Sequence, residues 1–338
     1  MKAVVIEKPG CVALQEIADP EPSADEVLLR PLAGGICGTD VHILEGNFLG
    51  KYPVIPCHEF SGQILKVGHS VTDCTVGDLV AVDPNLRCGA CVRCRSGEIN
   101  LCENYQATGV TRPGAFAEQV CVPAKNVHSI GGRDCSSAAF AEPLACVLYG
   151  QSRLEMAPGA KVLIWGAGAI GLLHLQVSTR LRGAEVVVID QDPARMATAR
   201  QLGAKAVLGL DDSLGRTLAE MAPQGWDVAI EATGTAAALQ SMFPYLRRGG
   251  QALVFGVYPP EATLSLSAFD IFLKDWTIRG SFTYRHEFAQ AVRILSNGLI
   301  EANALVNRQI PLDEVPEALH QLASGKKLGK VQVRSFDC

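Results

Sequence analysis

Four cysteines lie within fifteen consecutive positions of the segment RCGACVRCRSGEINLC. Thiolates in the spacing C-x2-C-x2-C-x7-C are suited to tetrahedral coordination, and four of them make a closed zinc site. A closed site has no position for a substrate, so its metal would stabilise a loop that lacks a hydrophobic core. An iron–sulfur cluster uses similar spacings, but nothing else in the chain indicates electron transfer. We therefore predict a structural zinc site formed by Cys88, Cys91, Cys94 and Cys102.

A second, more scattered set of metal-type residues occurs elsewhere in the chain. Cys37 lies in GGICGTDVH, and His58 and Glu59 lie in PCHEF, each at a predicted strand-to-turn transition; Glu142 lies in AFAEPLAC. Thiolate, imidazole and carboxylate are all zinc ligands, and a site that keeps one position for water or substrate is catalytic. Each residue taken singly is more often ordinary than a ligand. The set becomes a candidate because its members flank the same predicted cleft as a nucleotide motif.

That motif is the glycine-rich turn GAGAIG, which follows the apolar segment KVLIW and opens a predicted helix. Gly166 permits a tight turn, Gly168 lets the backbone approach a pyrophosphate, and Gly171 lets the helix pack against the strand. Asp190 ends the next strand, where a carboxylate binds the ribose hydroxyls of NAD and repels the extra phosphate of NADP. No Arg immediately follows it, so NAD is favoured. The other predicted cofactor contacts are Ile170, Arg195 over the adenine, and Gly234 and Val257 at strand ends.

Two different patterns of secondary structure are predicted to position these motifs. In the first third of the chain, short β-rich runs alternate with Gly, Pro and Asp, which indicates a β-barrel-like unit. From about Ala160 onward, apolar runs of five to six residues alternate with helical segments, which indicates a buried parallel sheet with crossover helices. After about Tyr284, two helical segments and a final strand, GKVQVRS, follow.

Composition limits the classes of function. The 338 residues suffice for two domains, and 48% hydrophobic with 19% charged residues is typical of an α/β protein. A net charge of −5 provides no basic face for nucleic acid. The N-terminus MKAVVIEKPG lacks the apolar core of a signal peptide, and the longest weakly polar stretch, 162–177, is too short to span a bilayer. We expect a cytoplasmic protein that binds neither nucleic acid nor membrane.

The twelve cysteines need an explanation in a reducing compartment. Their clustering favours metal binding or catalysis over disulfides, because disulfides are rare there. The isolated thiols are interpreted as small hydrophobic side chains without a further role. They are Cys11, Cys74, Cys121, Cys135 and Cys338.

The ordered segments GGICGTDVH, PCHEFSGQI, VGDLVAVDP, CGACVRCRSGEINLC, FAEPLAC and GAGAIG resemble those of the zinc-dependent medium-chain alcohol dehydrogenases. The sorbitol (polyol) dehydrogenase branch is the most similar, and the resemblance runs from residue 1 to about 335. It implies a GroES-like β-rich catalytic domain, interrupted by an inserted Rossmann nucleotide-binding domain. The implied boundaries are 1–144 with a structural-zinc lobe at 87–103, 145–284 for the NAD-binding domain, and 285–338 for the return to the catalytic domain.

The resemblance also implies a catalytic zinc. Cys37 and His58 are similar to its ligands, while Glu59 and Glu142 resemble two carboxylates that bind the metal in turn or flank it. In the simple alcohol dehydrogenases a Cys takes the place of Glu142. Since a carboxylate donates less charge than a thiolate, we hypothesise a more Lewis-acidic zinc that tolerates chelation by the substrate.

The implied reaction is oxidation of a secondary alcohol of a polyol to a ketone, with hydride transfer to NAD. Thr39 matches the hydroxyl that receives the alcohol proton, and His42 matches the imidazole that passes it to solvent. The substrate would be a small-molecule alcohol. Relatives of this kind form homotetramers or homodimers, often through the sheet edge of the nucleotide domain.

Three positions depart from the pattern. Cys57 occupies the place of a Gly before His-Glu, and we interpret it as a bystander rather than a redox-sensitive thiol. Ile43 and Thr283 stand where sorbitol dehydrogenases carry a Tyr and an Arg, so sorbitol itself is not expected to be the substrate.

Alternative substrates are a phosphorylated polyol or an amino alcohol such as threonine. The candidate phosphate contacts are Arg112, Arg285 and Arg308, although a lone Arg is usually a solvated surface charge. A non-catalytic NAD- and zinc-binding protein on the same scaffold is the alternative of another class.

Overall fold

The computed structural model describes residues 1–334, which form two compact units. One unit comprises Met1–Ala145 together with the chain from Arg285 onward, and the other comprises Cys146–Tyr284. The predicted boundaries lay after residues 144 and 284. Residues 335–338 are outside the described residues. They contain Ser335, with which the predicted final strand ends, and Cys338, with which the predicted third segment ends.

The N-terminal part of the first unit consists mainly of short strands. They are β1 Lys2–Lys8, β2 Cys11–Glu16, β3 Glu26–Gly35, β4 Glu59–Val67, β5 Leu79–Val82, β6 Asn85–Leu86, β7 Gln106–Ala107, β8 Val120–Pro123 and β9 Val127–Ser129. The helices between and after them are α1 Gly38–Glu45, α2 Val92–Arg95, α3 Cys135–Ala138 and α4 Ala141–Ser152. Buried side chains of β3 and β4, such as Leu29, Phe60 and Ile64, build the core of this unit. Their apolar side chains leave water on folding, which stabilises the sheet.

The second unit is a parallel sheet with helical connections. Its strands are β10 Lys161–Trp165, β11 Glu185–Ile189, β12 Ala206–Leu208, β13 Trp226–Glu231, β14 Leu246–Val254 and β15 Thr277–Gly280. Its helices are α5 Ala169–Gln176, α6 Pro193–Gln201, α7 Leu214–Met221, α8 Ala236–Met242 and α9 Ala268–Lys274. The strand order is β12-β11-β10-β13-β14-β15, all parallel, with the glycine-rich turn after the central strand β10.

Local sequence explains why these elements begin and end where they do. The segment KVLIW of β10 is apolar and buried, as expected for a strand covered on both faces. Helix α6 begins after Asp192, whose carboxylate accepts hydrogen bonds from the amides of Ala194 and Arg195, with Pro193 at the first position. The helix that was predicted to open at the glycine-rich turn is α5, and a π-helical turn at Val177–Leu181 follows it.

The chain then returns to the sheet of the first unit. The returning elements are α10 Phe288–Ser296, β16 Val306–Ile310, α11 Val315–Ala323 and β17 Lys330–Arg334. Strand β17 pairs antiparallel with β3, so that Gln332 lies opposite Gly35, and the sheet order is β16-β17-β3-β4-β5-β9. The predicted fold, a β-rich domain interrupted by a Rossmann domain, is confirmed. Within residues 1–334, no helix combines the length and apolar character that crossing a bilayer requires.

Candidate functional site

Cys37, His58 and Glu59 form a compact cluster in the first unit. Their ligand atoms all lie within 4.8 Å of one another. Cys37 follows β3 and caps the start of α1, while Glu59 opens β4. Because Gly35 of β3 is paired with Glu59 of β4, the antiparallel register places the two ligand segments side by side. The expectation of strand-to-turn transitions was wrong: a strand leads into a helix at Cys37, and a turn leads into a strand at His58 and Glu59.

Asp40 joins the two ligand segments, and we did not predict it. Its buried carboxylate accepts hydrogen bonds from the backbone amides of Cys37 at 2.8 Å and Cys57 at 3.2 Å. It also lies 3.7 Å from Nδ1 of His58. At that separation the carboxylate acts on the imidazole through its charge and not through a hydrogen bond. An acidic residue three positions after a helix cap is a capping-box signal, so the sequence held the information needed to find Asp40.

Lys330 of β17 is the second residue that sequence reasoning missed. Its ammonium forms an ion pair with the Glu59 carboxylate and donates to the carbonyl of Ile36 at 3.1 Å. Gly35 leaves room for the pair, because a Cβ there would lie 2.5 Å from the Glu59 Oε2 atom and 2.8 Å from Nζ of Lys330. Burial would lower the pKa of Lys330, but the charges of Glu59 and Cys37 outweigh it and raise that pKa. Lys330 therefore stays a cation.

The chemistry of the cluster fits zinc. Sulfur, nitrogen and oxygen donors within reach of one ion match the ligand types of zinc sites. The buried Nδ1 atom of His58 has no hydrogen-bond partner among residues 1–334. Burial would lower the pKa of His58, but the Cys37 thiolate and the Asp40 carboxylate together raise it well above its ordinary value. The electrostatic potential at this imidazole is therefore negative, which favours binding of a cation.

The other residues predicted for this site occupy two helices. Thr39 and His42 lie on α1, three positions apart and so on one face of the helix. The His42 side chain is 28% exposed, and its Nδ1 atom lies 3.4 Å from the Glu45 carboxylate. Glu142 is buried in the first turn of α4 but does not belong to the cluster whose ligand atoms lie within 4.8 Å of one another.

Cys57 is wholly buried next to the cluster. Its backbone has a φ of +83°, the left-handed region that favours glycine, which explains why glycine is usual at this place. Burial, with the charges of Asp40 and Glu59, raises the pKa of the thiol well above its ordinary value. A buried, protonated thiol is a poor nucleophile, which supports the interpretation of Cys57 as a bystander.

The four cysteines of the lobe also converge, with all sulfur atoms within 4.8 Å of one another. The Cys88 sulfur lies 3.5 Å from that of Cys102 and 4.0 Å from that of Cys94. Tetrahedral zinc with bonds of about 2.3 Å requires sulfur separations of about 3.8 Å, whereas a disulfide requires about 2.05 Å. Backbone amides of Ala90 and Cys91 donate to the Cys88 sulfur and lower its pKa to about 6. The sulfur separations of the lobe thus match a zinc site and not a disulfide.

The nucleotide turn of the second unit has the geometry that its glycines predict. Gly166 has a φ of +100°, and a Cβ there would lie 2.9 Å from Cγ2 of Thr233. A Cβ at Gly171 would collide with the carbonyl oxygen of Gly166. Gly168, in contrast, has no heavy atom within 4 Å of a Cβ position, so its backbone is open to a ligand. Each glycine therefore meets the requirement assigned to it from the sequence.

Asp190 lies at the end of β11 and its carboxylate is held by backbone amides. It accepts hydrogen bonds from Ala167 of the nucleotide turn at 2.6 Å, from Gln191 at 2.7 Å and from Asp192 at 2.8 Å. The carboxylate is thereby fixed against the turn that would bind a pyrophosphate. Ile170 lies at the start of α5 and Arg195 in the first turn of α6.

Gly234 and Val257 are brought together. Gly234 follows β13 with a φ of +73°, and a Cβ there would lie 2.7 Å from the carbonyl oxygen of Val257. The Val257 side chain is exposed. Both residues thus lie at the carboxyl ends of neighbouring parallel strands, where ligands bind in open α/β sheets.

Comparison with known proteins agrees with this arrangement. Residues 23–132 match the alcohol dehydrogenase GroES-like domain, and residues 169–297 match the zinc-binding dehydrogenase family. D-arabinitol dehydrogenase 1 of Uromyces fabae is 36% identical over 99% of this chain and 97% of its own. D-altritol 5-dehydrogenase of Agrobacterium fabrum is 37% identical over 98% of this chain and 99% of its own. A Sinorhizobium meliloti 1021 structure with bound NADP has a TM-score of 0.93 at 35% identity and covers 99% of both chains.

Proposed function

Because this chain belongs to the zinc-dependent medium-chain alcohol dehydrogenase family, in the polyol branch that its motifs predicted, we propose that it oxidises a secondary alcohol of a sugar alcohol to a ketone, with NAD as hydride acceptor. The observation that carries the proposal is the cluster of Cys37, His58 and Glu59. The full-length similarity to dehydrogenases named for D-arabinitol and D-altritol supports a polyol as substrate.

Two zinc ions per chain are part of the proposal. Cys37, His58 and Glu59 would hold the catalytic zinc, with Glu142 as the second carboxylate of the site, and the four cysteines of the lobe would hold the structural one. Bound zinc supplies a Lewis acid that lowers the pKa of an alcohol. The chain's own contribution is to keep the donors together through the β3–β4 register and the Asp40 carboxylate.

Thr39 and His42 of α1 would transfer the proton of the alcohol to solvent. The alcohol loses a proton and a hydride when it becomes a ketone; Thr39 receives the proton and His42 passes it to solvent. The partial exposure of His42 supports this role, since a relay must reach water. Bound NAD would supply the acceptor for the hydride and its electron pair, giving one NADH for each ketone.

NAD is proposed rather than NADP. The Asp190 carboxylate is fixed by three amides at the end of β11, and a carboxylate there repels a phosphate on the adenosine ribose. The Sinorhizobium meliloti structure holds NADP, so the cofactor preference of this chain needs its own measurement.

A homodimer or homotetramer is also proposed. Strand β15 is the last strand of its sheet, and α9 beside it in sequence buries none of its residues. Phe269, Phe272 and Leu273 of α9 are exposed, and an exposed apolar surface in a unit whose sheet ends at an edge strand is suited to a second copy of this chain. Light scattering of Phe272→Ser against the unaltered protein tests it, since the variant should dissociate and an unchanged mass would contradict this interface.

A cytoplasmic location belongs to the same proposal. The five cysteines of the two metal sets carry free thiols, as do Cys11, Cys74 and Cys121 outside them. Thiolate ligands persist where glutathione and thioredoxin keep cysteines reduced.

The three arginines predicted as candidate phosphate contacts give less support to a phosphorylated substrate. Arg112 lies 2.7 Å from a carboxylate oxygen of Glu26, and Arg308 lies 2.7 Å from one of Glu314. Arg285 donates to Asn100 at 3.1 Å and lies 4.0 Å from Glu98. Each arginine thus has an acidic or polar partner within the chain.

The deciding experiment is a screen of NAD reduction with C3 to C6 polyols, their phosphate esters and threonine. We expect NADH formation with one or more free polyols at least tenfold faster, in kcat/KM, than with phosphate esters or threonine. Preference for threonine or a phosphate ester would replace the polyol. NAD binding without turnover of any alcohol would indicate a non-catalytic binding protein.

A further inference from the structure

A buried carboxylate, Glu231, lies at the end of β13 and has no role in the proposed metal binding, proton transfer or cofactor selection. Its side chain is 0% exposed. It accepts hydrogen bonds from the Thr233 amide at 2.6 Å, the Gly234 amide at 3.1 Å, the Thr233 hydroxyl and the Tyr258 hydroxyl. All of these donors are amides or hydroxyls. A buried charge is stabilised only when such donors saturate it, so the surrounding backbone must hold this arrangement closely.

The donors come from two different segments. Thr233 and Gly234 belong to the turn 232–235 after β13, whereas Tyr258 belongs to the segment 255–258 after β14. Burial and the adjacent Glu231 carboxylate raise the pKa of Tyr258, so the phenol keeps its proton and remains a donor. The carboxylate therefore ties the ends of two neighbouring strands to each other.

Glycines make this contact possible. A Cβ at Gly256 would lie 2.5 Å from Cα of Gly234 and 2.6 Å from Oε2 of Glu231. The carbonyl of Glu231 in turn accepts a hydrogen bond from the Gly256 amide at 3.2 Å. The two segments are in direct backbone contact around the carboxylate, with no space for a side chain between them.

The same turn reaches the nucleotide motif. A Cβ at Gly166 would lie 2.9 Å from Cγ2 of Thr233, and the Ala232 amide donates to the carbonyl of Trp165 at 2.9 Å. The Glu231 carboxylate accepts its hydrogen bonds from the segments after β13 and β14, whereas the backbone bond between Ala232 and Trp165 joins β10 to the turn. Asp190 directly follows β11, which lies on the other side of β10, so the two carboxylates lie at opposite halves of this sheet edge.

We propose that Glu231 is a positioning residue: it fixes segments 232–235 and 255–258 in the conformation that binds the nicotinamide half of the cofactor, and it leaves the adenosine half unaffected. The carboxylate itself is fully buried and so has no surface with which to contact a ligand. The inference rests on the proposed function for the identity of the cofactor, and on the described contacts for the role of Glu231.

The test compares the affinity for NADH with the affinity for ADP-ribose, which lacks the nicotinamide. Glu231→Gln replaces one acceptor oxygen with an amide group that faces donors, so NADH should bind at least about tenfold more weakly. ADP-ribose should bind within about twofold of the unaltered protein, because the nucleotide turn and Asp190 are intact. Calorimetric titration of the full-length protein measures both affinities.

Tyr258→Phe provides a milder variant that removes one donor and keeps the carboxylate. We expect a smaller loss of NADH affinity, roughly threefold to tenfold, again without loss of ADP-ribose affinity. It decides the question if Glu231→Gln does not fold. The matched control is Tyr245→Phe, a half-buried tyrosine of the same unit that stacks on Trp165 with ring centroids 5.9 Å apart; it should change neither affinity.

Equal weakening of NADH and ADP-ribose, or no change of either in both variants, would overturn the positioning role. A merely structural contribution would affect both ligands alike, so the ratio of the two affinities separates these explanations. If the unaltered protein binds neither ligand, the proposed function itself fails, and that result is distinct from failure of this inference.

Discussion

Lys330 and Glu59, 271 positions apart in the sequence, form a buried ion pair beside the candidate catalytic metal cluster. The side chains are 9% and 2% exposed. The pair exists because β17 returns to β3, which in turn is paired with β4. The Glu59 carboxylate therefore contacts the Lys330 ammonium and would also reach the metal that we propose Cys37 and His58 hold.

Lys330→Met should destabilise the metal-free protein more than the zinc-loaded one. Loss of one partner leaves the Glu59 charge buried and uncompensated, which costs about 3–5 kcal/mol, whereas zinc would neutralise it. Thermal unfolding with zinc and after chelation measures the difference. Lys326→Met, at an exposed lysine of the same segment, should leave both midpoints unchanged. An equal loss with and without zinc would contradict the shared carboxylate.

Cys91→Ser should remove the structural zinc and lower the unfolding temperature while the catalytic cluster is retained. The lobe consists of α2 and short turns, and Cys91 caps α2 by accepting from the Cys94 amide. Without its metal this segment has little core of its own. Zinc content should fall from about two to about one per chain, while Cys11→Ser, at an exposed isolated thiol, keeps both. Unchanged zinc content and melting temperature in Cys91→Ser would refute the structural role.

Asp190→Ser should shift the cofactor preference toward NADP. The substitution removes the negative charge that repels a ribose phosphate, so the ratio of kcat/KM for NAD to that for NADP should fall at least about tenfold. The ratio is the relevant quantity, because loss of the hydrogen bond from Ala167 weakens both cofactors. Asp212→Asn, at an exposed carboxylate of the same unit, is the control. A ratio that does not change would show that Asp190 does not select the cofactor.

The buried His174 should make the protein acid-sensitive. Desolvation lowers its pKa to about 3, and its ring contacts Gln151 at 3.1 Å. Since the folded-state pKa lies below the unfolded value of about 6.5, the unfolded chain binds the extra proton first, and stability falls with pH below about 6.5 by up to about 1.4 kcal/mol per unit.

His174→Gln lacks this titrating group. As the pH falls from 7 to 5, the unfolding temperature of the variant should therefore approach or exceed that of the unaltered protein. Differential scanning calorimetry at both pH values measures the two unfolding temperatures, and His69→Gln, at an exposed histidine, is the control. If the gap between His174→Gln and the unaltered protein is the same at both pH values, His174 is not the titrating group.

Local patterns in the sequence were enough to predict the fold and most of the residues that the structure brings together in the two candidate metal clusters. The four-cysteine lobe and GAGAIG are short segments whose spacing specifies their own geometry, and Asp40 carries a local capping signal. The alternation of strands and helices predicted the parallel sheet, and the family resemblance implied that its domain is inserted into the first one. The positions of Cys37 and His58 were predicted, but the local elements around His58 were not, because a turn before a strand and one after it have similar compositions.

The contacts that the sequence could not reveal are those between distant segments. Nothing near Lys330 in GKVQV indicates that its partner is Glu59, since the pairing of β17 with β3 decides it. Glu231 and Tyr258 are 27 positions apart and meet only because β13 and β14 are neighbours. Single-sequence patterns specify residue types and local spacing, whereas the order and register of strands specify such pairs.

The most direct test of the account is zinc content measured together with turnover in His58→Ala. The unaltered protein should hold about two zinc ions per chain, and His58→Ala should hold about one, bind NAD and reduce none of it with any polyol. Two zinc ions per chain and undiminished turnover in His58→Ala would contradict a catalytic metal held by Cys37, His58 and Glu59.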